Sequence, residues 1–140
     1  MLAASTAYSV PESEAYGQIT TDVQTVTTHQ SAVTSNSKTE AAVREYFKDI
    51  PVMIQVARCE SQFRHTLADG SVLHGVVDSA DTGVMQINKR YHASAAAAMG
   101  LSLDDLHGNM AYARHLYETQ GTRPWNASSA CWGKTLAMNI

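Results

Sequence analysis

The sequence predicts a mainly α-helical domain of the α+β kind, in which several short helices accompany an irregular or short hairpin segment around residues 66–82. Two observations favour this class. Apolar residues recur at helical spacing in several stretches, and glycine, proline and aspartate turn signals separate those stretches. The chain has 140 residues and is 44% hydrophobic, which is enough for one modest core in one domain.

The first part of the chain differs from the rest. Residues 1–37 are rich in Ser, Thr and Val without sustained periodicity, so we predict a flexible N-terminal segment there and an ordered domain over residues 38–140. Residues 1–7 lack the basic and apolar regions of a complete secretory signal. They are either the remnant of a trimmed signal or an arbitrary start.

Two helices are predicted at the start of the ordered domain. Thr39 suits the N-cap of the first helix, in which Val43, Tyr46 and Phe47 follow the spacing of one apolar face. Pro51 is well placed in a first helical turn and marks a restart. The second helix is therefore predicted to run from Pro51 to Gln62.

The remaining elements follow from turn signals and composition. Residues 65–82 carry glycine and aspartate turns between valines, which predicts short extended segments or a small hairpin. The chain is predicted to return to helix over residues 83–88. Further helices are predicted over residues 91–99 and 109–120, each followed by a glycine. An aromatic, loop-rich tail is predicted over residues 124–133.

Charge and composition exclude several classes of function. The formal net charge is −3, and no block of Lys and Arg forms the basic footprint of a nucleic-acid-binding protein. No apolar run reaches the roughly 18 residues that a membrane-spanning helix needs. The six histidines show no metal-binding spacing, so neither a metal nor another cofactor is expected.

The two cysteines, Cys59 and Cys131, allow two interpretations. They are either two buried thiols or one disulfide that closes a loop of 72 positions. In the chain-entropy model such a bridge stabilises the fold by about 4 kcal/mol.

Glu60, at the end of the predicted second helix, is the candidate catalytic residue. Cleavage of a glycosidic bond requires a proton on the leaving oxygen, and a carboxylic acid in apolar surroundings keeps its proton to higher pH. The apolar stretch Val52–Ala57 precedes Glu60 and can provide such surroundings. Taken alone, a glutamate at such a position is far more often a solvated residue at a helix end.

The segment 83–88 also has two interpretations. It is either an amphipathic turn that places Met85 and Ile87 in the core, or one wall of a binding cleft. In the second case Gly83 allows close approach of a sugar ring, Gln86 hydrogen-bonds an N-acetyl or hydroxyl group, and Met85 forms an apolar floor.

Together these stretches resemble the lysozyme-like superfamily, which includes SLT-type lytic transglycosylases and goose-type lysozymes. The resemblance spans about residues 43–133. The motifs that carry it are Cys59-Glu60-Ser61, Gly83-Val84-Met85-Gln86-Ile87-Asn88, the Asn-started stretch Asn109–Tyr117, and Gly121–Trp132 with its Pro-Trp, Ser and Cys-Trp.

The resemblance implies a function and a set of site residues. It implies that Glu60 is the general acid/base for cleavage of the β-1,4 bond between N-acetylmuramic acid and N-acetylglucosamine in peptidoglycan glycan strands. It supports a Cys59–Cys131 bridge, because cysteines at these positions tend to occur together in small bacterial domains of this kind. It also implies a monomer in the periplasm or outside the cell.

Other site residues follow from the same resemblance. Ser79 matches, in rough position, a serine that many lytic transglycosylases carry. The Tyr-Asn-Ala-Gly stretch whose tyrosine lines the active site of many relatives is missing here. We expect an aromatic residue to make that contact, and the candidates are Tyr112, Tyr117, Trp125 and Trp132.

The second carboxylate remains open in the sequence. Asp78 and Asp81 are the candidates for a base that activates water, and both also suit turns. If Glu60 acts alone, the resemblance implies a lytic transglycosylase, a lyase that leaves a 1,6-anhydro product. The alternatives are a hydrolytic lysozyme and a non-catalytic glycan-binding module of an envelope assembly.

Overall fold

The computed structural model describes residues 36–138, and within them the secondary structure is mainly helical, as the sequence predicts. The helices are α1 over residues 36–46, α2 Pro51–Ser61, α3 Lys89–Ala98, α4 Leu106–Gln120 and α5 Ser129–Met138, with a 3-10 helix at Arg123–Ser128. Strands β1 (Asp81–Thr82) and β2 (Ile87–Asn88) pair antiparallel. All but the last two residues of the predicted flexible segment 1–37 lie outside the described residues.

The helices α1 and α2 form where apolar spacing predicts them. Val43 lies on α1, and Phe47 directly follows that helix. Both side chains are fully buried. Pro51 occupies the first turn of α2, where its missing N–H costs nothing. The buried residues of α2 are Met53, Val56, Ala57 and Ser61. Glu60 lies one helical turn after Ala57, so its side chain emerges at the edge of the buried face.

The segment between α2 and β1 contains only fragments of the predicted hairpin. Isolated antiparallel bridges join Thr66 to Val72 and His74 to Thr82. Between them the backbone is irregular.

The predicted helix over residues 83–88 is wrong. These residues form a turn that ends in β2, because Gly83 and Gln86 adopt left-handed backbone conformations with φ values of 74° and 49°. The N–H groups of the two residues between them donate to buried side chains instead of to helical carbonyls. Their hydrogen bonds are therefore satisfied without a helix.

Side chains cap both following helices. The Asn88 side chain accepts a hydrogen bond from the Arg90 N–H at the start of α3, and Asp105 accepts one from the Gly108 N–H at the start of α4. Because Asp105 is the cap, α4 begins at Leu106 and not at the predicted Asn109.

The tail is helical, where the sequence predicts loops. Pro124 lies in the first turn of the 3-10 helix, and α5 follows directly. Cys131 on α5 is bonded to Cys59 on α2, with Cα atoms 6.0 Å apart, so the predicted disulfide is confirmed. The bridge anchors the tail against α2, a long-range contact that local spacing does not reveal.

One hydrophobic core joins α2, α4 and the turn before β2. Its fully buried apolar side chains include Val43, Phe47, Met53, Val56, Val84 and Met85. Among residues 36–138, none of the helices has the length and apolarity that crossing a membrane requires.

Candidate active site

Glu60 lies in the last turn of α2, between the bridged Cys59 and the buried Ser61. Ser61 donates a hydrogen bond of 3.0 Å to the Ala57 carbonyl, so its hydroxyl is satisfied within the helix. Glu60 is half-buried, and it lines a cleft between α2 and the turn that precedes β2.

The cleft has two lobes that meet at Glu60, with volumes of about 150 and 420 Å³. The residues common to both lobes are Glu60, Asp81, Gln86 and Ala127. The smaller lobe adds Ile87, Asn88, His92, Leu116, Pro124 and Trp125. The larger adds Arg64, Leu73, His74, Gly75, Val76, Val77 and Ser128. A carboxyl group where two lobes meet can act on the middle of a ligand that occupies both.

The surroundings of Glu60 favour its protonated form. Burial raises the pKa of Glu60 above its ordinary value. Ser128 acts in the opposite direction, because its hydroxyl donates a hydrogen bond of 2.5 Å to Glu60 Oε1 and so favours the carboxylate. The charge of Asp81 raises the pKa of Glu60 further, and the net direction is upward.

The two candidate second carboxylates lie in different places. Asp81 lines both lobes, and its Oδ1 accepts a hydrogen bond of 3.0 Å from Asn88 Nδ2. Asp78 lies outside both lobes. The Ala80 N–H and Asn88 donate to Asp78, and Arg90 pairs with it at 3.2 Å, so these contacts hold its pKa below the ordinary value. Asp81 is therefore the second carboxylate of the cleft, and Asp78 stabilises the turn.

Gln86, the predicted polar residue of the cleft wall, lies where the two lobes meet. Its Nε2 donates a hydrogen bond of 2.9 Å to the Gly83 carbonyl. This bond holds the amide group over the turn and presents it to the cleft.

Gly83 and Met85 are buried outside both lobes, so neither makes the ligand contact that the cleft-wall interpretation predicts. A Cβ atom on Gly83 would come within 2.5 Å of Asn109 Nδ2 and 2.6 Å of His65 Cε1. Packing against these side chains, and not the approach of a ligand, requires glycine there. Met85 is fully buried in the core, as the first interpretation of this segment predicts.

The other predicted binding residues also lie outside both lobes. Ser79 is exposed on the loop before β1. Tyr112 is buried behind the smaller lobe, where its hydroxyl lies 3.0 Å from His92 Nδ1. Trp132 is half-buried, and its Nε1 donates to the Trp125 carbonyl over 3.1 Å. Tyr112 and Trp132 therefore support residues that line the cleft.

Two buried side chains hold the turn in place. His65 accepts a hydrogen bond from the Val84 N–H at Nδ1, so its Nε2 carries the proton and donates to the Asp104 carbonyl over 2.7 Å. Asn109 accepts from the Met85 N–H and donates to two carbonyls, those of Thr82 and Leu103. Asn109, the first residue of the Asn109–Tyr117 motif, therefore supports the structure of the cleft.

Several cleft residues were missed by sequence reasoning. The main ones are Ser128, Arg64, His74, Asn88 and His92. Trp125 was considered only as one of several aromatic residues, yet it lines the smaller lobe, and its Nε1 donates to the Met85 carbonyl over 2.9 Å. The Pro-Trp and Ser of the tail motif were the available signal for Trp125 and Ser128, but nothing local indicated that Ser128 reaches Glu60.

Neither a protein-family model nor a curated protein nor a solved structure matches this chain. Within residues 36–138, no group of three or more His, Cys, Asp or Glu side chains is arranged to hold a metal ion.

Proposed function

We propose that this protein is a peptidoglycan-cleaving glycosidase of the lysozyme-like type, with Glu60 as general acid/base at the β-1,4 bond between N-acetylmuramic acid and N-acetylglucosamine. The observation that carries the proposal is a half-buried carboxyl group with a raised pKa where two lobes of a cleft meet. The motifs around Glu60, Gln86 and Trp125 support it, because they resemble those of that superfamily.

The first step is proton transfer. Glu60 donates its proton to the glycosidic oxygen as the bond from the sugar C1 to that oxygen breaks, because an alkoxide is a poor leaving group. The raised pKa keeps the acid form available to higher pH than in an ordinary glutamate. Gln86 hydrogen-bonds the sugars through its side-chain amide where the two lobes meet, and the largely buried Trp125 forms part of the wall of the smaller lobe.

We favour a lytic transglycosylase for the second step. The 6-hydroxyl of the muramyl sugar attacks C1 and returns a proton to the Glu60 carboxylate. The product is a 1,6-anhydro sugar, and the enzyme returns to its starting protonation state without consuming water.

A hydrolytic lysozyme is the second candidate, and Asp81 is the observation that favours it. Asp81 lines both lobes together with Glu60 and could act as the base that activates water. The two candidates share Glu60 as the acid and differ in what attacks C1 and in which carboxylate takes the proton of the attacking group.

The glycan strands of the wall lie outside the cytoplasm, and so would this enzyme. The Cys59–Cys131 disulfide supports this location, because disulfides persist in oxidising compartments. We propose that the protein acts there as a monomer.

Digestion of purified cell walls tests the role of Glu60. The Glu60→Gln variant should release soluble muropeptides about 100- to 10,000-fold more slowly, because general acid–base catalysis contributes a factor of this size. The matched control is Glu118→Gln, which changes an exposed glutamate on α4 and should keep wild-type activity. Wild-type rates in Glu60→Gln would refute the proposal.

Mass spectrometry of the released sugars separates the two candidates. A 1,6-anhydro end is lighter than a reducing end by one water. Asp81→Asn should leave a transglycosylase largely active but should abolish hydrolysis.

A further inference from the structure

Ser128 connects the tail of the chain to the candidate acid. It is the last residue of the 3-10 helix, and its Oγ lies 2.5 Å from Glu60 Oε1 and 3.1 Å from the Trp125 carbonyl oxygen. A serine hydroxyl carries one proton. It can therefore donate to only one of these two acceptors at a time.

Both acceptors are held in place. The Trp125 ring is buried, and its Nε1 donates to the Met85 carbonyl. On the other side, Cys59 directly precedes Glu60 and is bonded to Cys131, three residues after Ser128. The disulfide and the indole thus keep the serine between its two partners.

We propose that Ser128 is a positioning residue for Glu60: it donates to Oε1 when Glu60 is a carboxylate and turns its proton to the Trp125 carbonyl when Glu60 is protonated. This inference rests on the proposed function. Because Ser128 faces Oε1, we assign the transferable proton of Glu60 to Oε2.

The hydrogen bond contributes most at the moment of proton transfer. As the Oε2–H bond breaks and the proton moves to the glycosidic oxygen, Glu60 gains a negative charge. A hydrogen bond to a carboxylate is stronger than one to a neutral carboxyl group. Ser128 therefore stabilises the transition state more than the ground state, which is the condition for raising kcat.

The return step uses the second acceptor. When Glu60 Oε2 takes a proton from the attacking hydroxyl group, the charge on Glu60 disappears and Oε1 becomes a weaker acceptor. The Ser128 proton then moves to the Trp125 carbonyl by rotation about the Cβ–Oγ bond. No proton leaves the serine, so the cycle is balanced.

The test compares pH profiles of cell-wall digestion in the wild type, Ser128→Ala and Ser128→Thr, with Ser129→Ala as the matched control. Ser129 is exposed and outside both lobes. Ser128→Ala should lower kcat about 10-fold with little change in KM, as expected for a small loss of positioning. It should also move the alkaline limb of the profile to higher pH, because Glu60 loses the donor that favours its ionised form. Ser128→Thr keeps the hydroxyl and should return the limb towards the wild-type position.

A separate measurement must assign the alkaline limb of the pH profile to Glu60, because other titratable and charged side chains line the cleft. Asp81, His74, His92 and Arg64 face it from the surrounding elements. Carbon-13 NMR titration of the glutamate side-chain carboxyls in the wild type and Ser128→Ala reads the pKa of Glu60 directly and needs no activity.

The outcomes separate this inference from the proposed function. If Glu60→Gln is inactive while Ser128→Ala keeps the wild-type limb and the wild-type Glu60 titration, the role of Ser128 is refuted and the proposed function stands. An alkaline limb at the same pH in Ser128→Thr and Ser128→Ala would also refute the role of Ser128, because the hydroxyl group would then have no effect. If the wild type digests no cell wall, both proposals fail.

Discussion

The two walls of the cleft are built in different ways. The helical wall consists of the end of α2 and the 3-10 helix, and it combines apolar burial with the Cys59–Cys131 bridge, which ties α2 to α5. The turn wall consists of residues 78–88, which form two strands of two residues each. Hydrogen bonds that the backbone N–H groups of Val84 and Met85 donate to His65 and Asn109 hold this second wall.

This difference sets the behaviour of the carboxyl groups. On the helical wall, removal from water raises the pKa of Glu60. On the turn wall, a backbone N–H, Asn88 and Arg90 lower the pKa of Asp78. A carboxyl group on the helical wall is removed from water and so keeps its proton to higher pH. A carboxylate surrounded by hydrogen-bond donors stays ionised and stabilises the turn. Asp81 belongs to the turn wall but lines the cleft, and it accepts a hydrogen bond from Asn88.

Breaking the disulfide should have the largest effect, and only on the helical wall. The double variant Cys59→Ser, Cys131→Ser should lose about 4 kcal/mol of unfolding free energy in urea titration, because the bridge closes a loop of 72 positions. NMR shifts of α5 should move while those of residues 83–88 stay in place. Equal changes of the NMR chemical shifts in both walls would show that the walls are not independent. The wild type with its disulfide reduced serves as the control.

The next largest effect should come from Asn109→Ala, which removes the support of the turn wall. The Met85 N–H and two carbonyl groups would lose a buried partner. We expect the free energy of unfolding to fall by about 3 kcal/mol in urea titration. Asn126→Ala, at an exposed position of the 3-10 helix, is the control and should change stability by less than about 0.5 kcal/mol. Similar losses in both variants would contradict the supporting role of Asn109.

The pH dependence of stability sharpens the comparison. Because the pKa of Glu60 is raised in the folded state, its ionisation opposes folding. This penalty is absent below the ordinary glutamate value of 4.5 and develops as pH rises from there through the higher folded value. Glu60→Gln should therefore melt at a higher temperature than the wild type at neutral pH and not at low pH. Thermal unfolding at a series of pH values measures this, and a lower midpoint at neutral pH would contradict it.

Asp78→Asn should show the opposite sign and the smallest effect. The pKa of Asp78 is lowered in the folded state, so its charge stabilises the fold above the ordinary aspartate value of 3.8. Asp78→Asn should lower the melting temperature slightly at neutral pH, and the difference should fade as pH falls below that value. Added salt should also reduce this difference in melting temperature, because Asp78 and Arg90 form a partly exposed ion pair. An increase in melting temperature at neutral pH would refute the assignment of Asp78 to the turn.

The α2 part of the helical wall could be predicted from the sequence, whereas the 3-10 helix and α5 were predicted as loops. The spacing of Val43 and Phe47, the proline that begins α2 and the glycines that follow the helices are signals read within one or two turns. They were sufficient to predict α1 and α2 and to place Glu60 at a helix end beside Cys59. The resemblance to a known superfamily also supported the pairing of that cysteine with Cys131.

The turn wall and the fine structure of the site were decided by tertiary structure. Residues 83–88 avoid a helix because their N–H groups find partners in His65 and Asn109, which lie far away along the chain. Ser128 reaches Glu60, and Asp81 rather than Asp78 enters the cleft, for the same kind of reason. The sequence by itself determined the helices α1 to α4 and the candidate acid, since helical periodicity depends on neighbours three or four residues apart. Burial and hydrogen-bond partners depend on segments that meet only after the chain has folded, so only the tertiary structure decided what surrounds that acid.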